Sequence, residues 1–217
     1  MCAKENIMVS EYTTIKDDKS NELVEKKSRF IAYIRAVYSE EEALDFIEKI
    51  KKKHYDARHN CHGYVVVAEP ELRRFSDDGE PSGTAGKSIL EALDGAGLSN
   101  VCIVVTRYFG GTLLGTGGLT RAYRDAAKLA IEECEYLKKQ LVRRIDITAS
   151  YNDYGKIKYF FEDKGIKTAN EEYSDNVSFS VNAPVSDAEM YAKKLVDLTA
   201  AKALIKVEDD SFWEEKY

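Results

Sequence analysis

A chain of 217 residues, 44% hydrophobic and 32% charged, has an ordinary globular composition and room for one large domain or two small ones. Three prolines and the lack of a Ser/Gly tract argue against a long disordered linker, and no apolar run approaches the ~20 residues of a membrane-spanning helix. The net charge of −6 disfavours a protein that coats nucleic acid non-specifically, because that affinity comes from neutralising phosphates; a local basic patch remains compatible with it.

Met1–Ser10 lacks the uninterrupted apolar core of a signal peptide, so a cytoplasmic location is expected. Cys2, Cys61, Cys102 and Cys134 are far apart and form no C-x-x-C pair. This excludes a zinc ribbon or a thioredoxin motif and suits a reducing compartment.

Phe30–Val37 reads as a strand rich in β-branched and aromatic residues. Ser39 with Glu42 forms a capping box, and Ala43, Phe46, Ile47 and Ile50 then mark one apolar helix face that Lys51, Lys52 and Lys53 close. Gly63–Ala68 and Val101–Val105 are short continuous apolar runs, the pattern of buried strands, with a helix expected over Lys87–Leu93 between them. A long helix beginning near Leu119 carries Ala122, Tyr123, Ala126, Ala130 and Cys134 near one face.

The pattern restarts around Tyr136–Val142. Ile145, Ile147, Ala149 and Tyr151 alternate as a half-buried strand; Ile157, Phe160 and Phe161 give a helix face that Gly165 ends. Ser174–Asn176 reads as a turn into a strand bearing Val177, Phe179 and Val181. Ser186 and Glu189 form a second capping box, Ala188, Ala192, Leu195 and Thr199 follow on one face, and Ala203, Ile205 and Val207 supply a last strand. Strand, helix, two strands, helix, strand is the ferredoxin-like order. The expected organisation is therefore α+β, with domains at 1–138 and 139–217. Each carries a charge of −3, so the boundary rests on periodicity alone.

The densest unusual stretch is Thr106–Gly118, with five glycines between Gly110 and Gly118. They fall between a buried strand and a helix start, where backbone N–H groups and the helix dipole can cradle an anion. Gly110, Gly111, Gly115, Gly117 and Gly118 are the candidate cradle, and Arg107, Arg121 and Arg124 the candidate cations; if Arg107 serves in this way, its replacement by Ala leaves the fold intact. The alternative is that the glycines serve tight turns and close helix–sheet packing. Pro81–Ser88 approaches a P-loop, with Lys87 in the lysine position, but Pro81 replaces the first glycine and no buried strand precedes it. Arg58, His59 and His62 lie in one short stretch; His59 and Cys61 share a face of an extended segment while His62 points away, too few ligands for zinc. Asp77 and Asp78, with Glu80, form an acidic turn able to hold a cation or simply to be solvated. No metal, cofactor or catalytic residue is assigned.

Four blocks resemble the YigZ/IMPACT family: Lys27–Phe30, Asp56–His62, Phe75–Gly86 and Val105–Leu119. The resemblance implies a βαβ-type N-terminal domain like that of a small-subunit ribosomal protein and of elongation factor G domain IV, followed by a ferredoxin-like domain. It also implies a link to translation. The expected function is that of a non-catalytic cytosolic regulator binding RNA, the ribosome or a translation factor, with a phosphate-like anion as local guest and no membrane partner. An enzyme acting on a phosphorylated small molecule and a pure protein-interaction scaffold are the alternatives.

Overall fold

A computed structural model describes residues 10–68 and 70–214. The expectations for a leader in Met1–Ser10 and for Cys2 therefore lie, Ser10 apart, outside the described residues. In chain order the elements are β1 (Glu11–Ile15), β2 (Lys19–Glu25), β3 (Ser28–Ala36), α1 (Glu40–Lys53), β4 (His59–Val66), β5 (Leu72–Ser76), α2 (Gly86–Ala96), β6 (Val101–Tyr108), α3 (Gly115–Glu132), β7 (Tyr136–Ala149), α4 (Tyr151–Glu162), β8 (Thr168–Tyr173), β9 (Val177–Pro184), α5 (Val185–Leu198) and β10 (Leu204–Glu214). This α+β chain forms two compact units, residues 12–138 and residues 139–214 with Ser10 and Glu11. No helix among the described residues is long and apolar enough to cross a membrane.

The first unit is built on an antiparallel sheet of order β2-β3-β6-β4-β5. Val101, Ile103 and Val105 join one core with Phe30, Ile89, Leu93, Tyr123 and Ala126, under α2 and α3. Cys102 and Val104 join a second core with Phe46, Ile47 and Ile50, under α1. Burial on both faces is why β6 reads as a continuous apolar run. Ser39 caps α1 by accepting from the Glu42 N–H at 3.1 Å, and Glu42 reaches back to the Tyr38 N–H at 2.8 Å. The helix after the glycines begins at Gly115, not near Leu119. Packing of Leu119, Ala122 and Tyr123 extends it one turn into glycines whose own propensity opposes helix.

The second unit has the βαββαβ succession β7-α4-β8-β9-α5-β10, with β10, β7, β9 and β8 adjacent in that order and antiparallel throughout. Ile145, Ile147, Val177, Phe179 and Val181 face Ile157, Phe161, Tyr191 and Leu195 of the helices. Two local readings change. Tyr151 does not continue the strand: Ser150 ends it and caps α4, accepting from the Asp153 N–H at 3.2 Å, which leaves Tyr151 exposed on the helix. Ser186 does not cap α5, because that helix begins a residue earlier, at Val185, and the Ser186 hydroxyl donates to Asp187 instead.

Candidate functional site

The alternation along β6 decides where its last residues point. Arg107 follows Val105 toward α2 and α3; Tyr108 follows Val104 toward α1. Arg107 meets Glu80 there, Nη1 to Oε1 at 2.7 Å, with side chains only 8% and 4% exposed. The Tyr123 hydroxyl donates to the same oxygen at 2.8 Å, and the guanidinium lies 5.5 Å from the Phe30 ring centre. Arg107 is thus compensated inside the fold rather than waiting for an anion. Its Nε is buried and has no hydrogen-bond partner among the described residues.

The P-loop-like segment is already filled. The Asp77 carboxylate accepts from the N–H groups of Gly83, Ala85 and Gly86 at 2.8, 2.9 and 2.9 Å, which closes the N-terminus of α2 with an internal anion. Burial opposes its ionisation, but these three donors outweigh burial and hold the carboxyl below its ordinary value. Lys87 projects into solvent beside Glu91, 3.8 Å away. No phosphate is needed to satisfy this turn.

Asp78 is likewise spent on the fold. Its carboxylate accepts from the Asn60 N–H at 2.7 Å and lies 3.5 Å from the Lys51 ammonium. Its carbonyl accepts from His59 Nδ1 at 2.9 Å, while the Cys61 thiol donates to the Asp77 carbonyl. His59 and Cys61 thus share a face and hold the acidic turn against β4. His62 lies on the other side, stacked on Tyr64, and burial lowers its pKa. Among the described residues no group of three or more His, Cys, Asp or Glu is placed to hold a metal.

The glycine segment behaves differently at its two ends. A Cβ at Gly110 would fall 2.0 Å from the carbonyl carbon of Lys27, so the close passage of the β2–β3 turn requires glycine there. Gly111 and Gly115 have positive φ, +87° and +70°, whereas Gly117 and Gly118 lie in the first turn of α3. Like that of α2, this N-terminus has no N-cap side-chain bond and no acidic residue in its first turn, but among the described residues no carboxylate closes it as Asp77 closes α2. Lys26, Lys27, Arg58 and Arg121 are exposed and form no ion pair among the described residues; the Lys27 backbone meets Gly110, Arg58 shares a cleft with Leu113, and Arg124 lies 3.6 Å from Asp125. Asp56, Arg58, His59, Arg107, Phe109 and Leu113 line an adjoining cleft of about 470 Å³, with Phe109 58% and Leu113 83% exposed.

Comparison with known proteins bears on this site. Residues 26–131 match the Impact N-terminal domain, and residues 147–202 match a domain of unknown function, DUF1949. The IMPACT family member YvyE of Bacillus subtilis (strain 168) is 37% identical over 208 residues, 96% of each chain. The chain belongs to the IMPACT family. YigZ of Escherichia coli (strain K12), another IMPACT family member, is 35% identical over 176 residues, covering 80% of this chain and 86% of its own. Protein IMPACT of Mus musculus is 28% identical over 51% of this chain and 36% of its own length. A crystal structure described as that of a hypothetical protein superposes with a TM-score of 0.63 at 31% identity, covering 91% of this chain and 97% of that one.

Several residues of this IMPACT-family site escape a reading of the sequence. Lys26 and Lys27 form the two-residue turn between paired Glu25 and Ser28, both with positive φ, 46° and 67°. This is a type I′ turn, where Asn-Gly is the usual choice. Two lysines between alternating residues were the available signal. Glu80 reads only as part of an acidic turn, and its pairing with Arg107, 27 positions away, gives no local signal. Phe109 and Leu113, large apolar residues beside glycines, were visible as an exposed patch only once the loop was known to face solvent.

Proposed function

We propose that this chain acts as a non-catalytic regulator linked to translation, binding RNA, free or within the ribosome, through its first unit. The observation that carries the reading is an α3 N-terminus without a side-chain cap, on a unit whose exposed Lys26, Lys27, Arg58 and Arg121 form no ion pair among the described residues. Backbone N–H groups and dipole favour a phosphate at such an end, and exposed cations with no internal counter-charge are available to neighbouring phosphates. Lys26 and Lys27 occupy a turn whose positive φ disfavours them, and they add charge to the same surface. Phe109 adds a ring on which a base stacks. The open side of the second unit's sheet presents Arg144, Asp146, Thr148, Ser178 and Asn182, one cation among neutral and acidic groups. With a net charge of −6 the contact is local, so binding is specific in place rather than a general coating.

The test is binding of a fluorescent RNA hairpin across a salt series, with Arg58→Ala/Arg121→Ala beside the parent. Loss of two phosphate contacts weakens binding about tenfold or more and lowers the salt slope by about 1–2. In parallel, sedimentation of cell lysate places the protein with ribosomal particles, and RNase removes it. Absence of hairpin binding at about 50 mM salt, or a double variant that binds as well as the parent, overturns the reading.

A further inference from the structure

Asp56 is exposed and forms no ion pair among the described residues, yet a series of three hydrogen bonds fixes it. Tyr108 donates its only proton to Asp56 Oδ1 at 2.8 Å. Its oxygen therefore accepts from His54 Nδ1–H at 2.9 Å. His54, buried at the C-terminal cap of α1, is left with Nε2 as acceptor for the Tyr33 hydroxyl at 2.7 Å. Burial, then the Lys53 charge, lowers the His54 pKa and keeps the ring in this neutral tautomer. Side chains from three separate elements are thus spent on orienting one solvent-facing carboxylate. Ordering such a group costs rotamer entropy and gives the fold little in return.

The carboxylate faces the cleft that Arg58, Arg107 and Phe109 also line. The Arg107 guanidinium sits 5.6 Å from the Phe109 ring centre, so the wall is a flat aromatic with a cation against it. A guest of about 470 Å³ or less that is flat, anionic at one end and rich in donors at the other fits these walls. Resting on the RNA reading above, we propose that the cleft receives one unstacked base of single-stranded RNA, and guanine by preference. Guanine alone presents two adjacent donors, N1–H and N2–H, on its Watson–Crick edge, and a carboxylate accepts at both oxygens. Adenine and cytosine place an acceptor beside their single amino donor, and uracil flanks its one donor with carbonyls. Asp56 reads the edge, Phe109 carries the base, Arg58 meets the phosphate, and Tyr108 is a positioning residue.

The full chain is titrated by fluorescence anisotropy with pentaribonucleotides of uridine that carry guanine, inosine, adenine, cytosine or uracil at the centre. Guanine binds about tenfold more tightly than adenine, cytosine or uracil, and inosine, lacking the N2 amine, falls between. Asp56→Asn brings all five within about twofold of one another; Tyr108→Phe reduces the preference without removing it; Phe109→Ala weakens all five by about tenfold. Thermal melts of the three variants at the parent's Tm show that the fold is kept. Equal affinity for all five, or a guanine preference that survives Asp56→Asn, overturns the base reading and leaves the RNA reading standing. Failure to bind both the pentamers and the hairpin overturns the two together.

Discussion

Arg107 and Glu80 form a pair buried on both sides, and Tyr123 supplies the third member through the same carboxylate oxygen. A buried ion pair adds little net stability, but removing one partner strands the other charge in a low-dielectric interior. Arg107→Ala is therefore expected to destabilise the protein by about 3–5 kcal/mol, read as a lower denaturation midpoint. A variant with unchanged stability shows that the pair is not the residue's role. This expectation reverses what the position of Arg107 before a glycine run implies on its own. Asp77 shows the same effect: a reading of it as a cation ligand gives way to three backbone donors that a short acidic motif does not announce.

The contrast between α2 and α3 belongs to the scale of elements. Both helices start in glycine-containing turns and neither has an N-cap side-chain bond, yet one end is closed by Asp77 and the other faces solvent. The β2–β3 turn beside the open end carries the cost of that surface. Replacing Lys26-Lys27 by Asn-Gly suits the positive φ of both positions and is expected to stabilise the first unit by about 1 kcal/mol. The same double variant is expected to bind the RNA hairpin more weakly, and a salt titration reports the lost contacts. Stabilisation with undiminished binding would make the two lysines an ordinary surface turn.

For the whole molecule, the division falls inside β7, between Lys138 and Lys139, and each unit has a core of its own. We propose that residues 139–217 fold alone. The fragment gives a mixed α/β circular dichroism spectrum and dispersed amide resonances, with modest stability for its size. One feature works against it: the Leu141 N–H donates to the Ser10 carbonyl at 2.7 Å, a bond the fragment lacks. A fragment extended to carry a strand equivalent to β1 is then the more stable of the two, and a disordered fragment in both forms sinks the boundary.

The sequence by itself determined the order of elements through α1, α2, β6 and the βαββαβ half, because hydrophobic period and capping are local and need only a few neighbouring residues. It was silent on β1, β2 and β5, short strands without a strong apolar alternation in sequence that are ordered by pairing with β7, β3 and β4. It placed His59 and Cys61 on one face and His62 on the other, since the strand period is enough for that. Only the tertiary structure decided which charges are already spent. Arg107 finds Glu80 across the fold, Gly110 meets Ser28 across 82 positions, and Arg58 meets the glycine loop at one cleft. Whether a charge is free to bind depends on its solvation and its nearest counter-charge, and both are set by distances in space that no local spacing encodes.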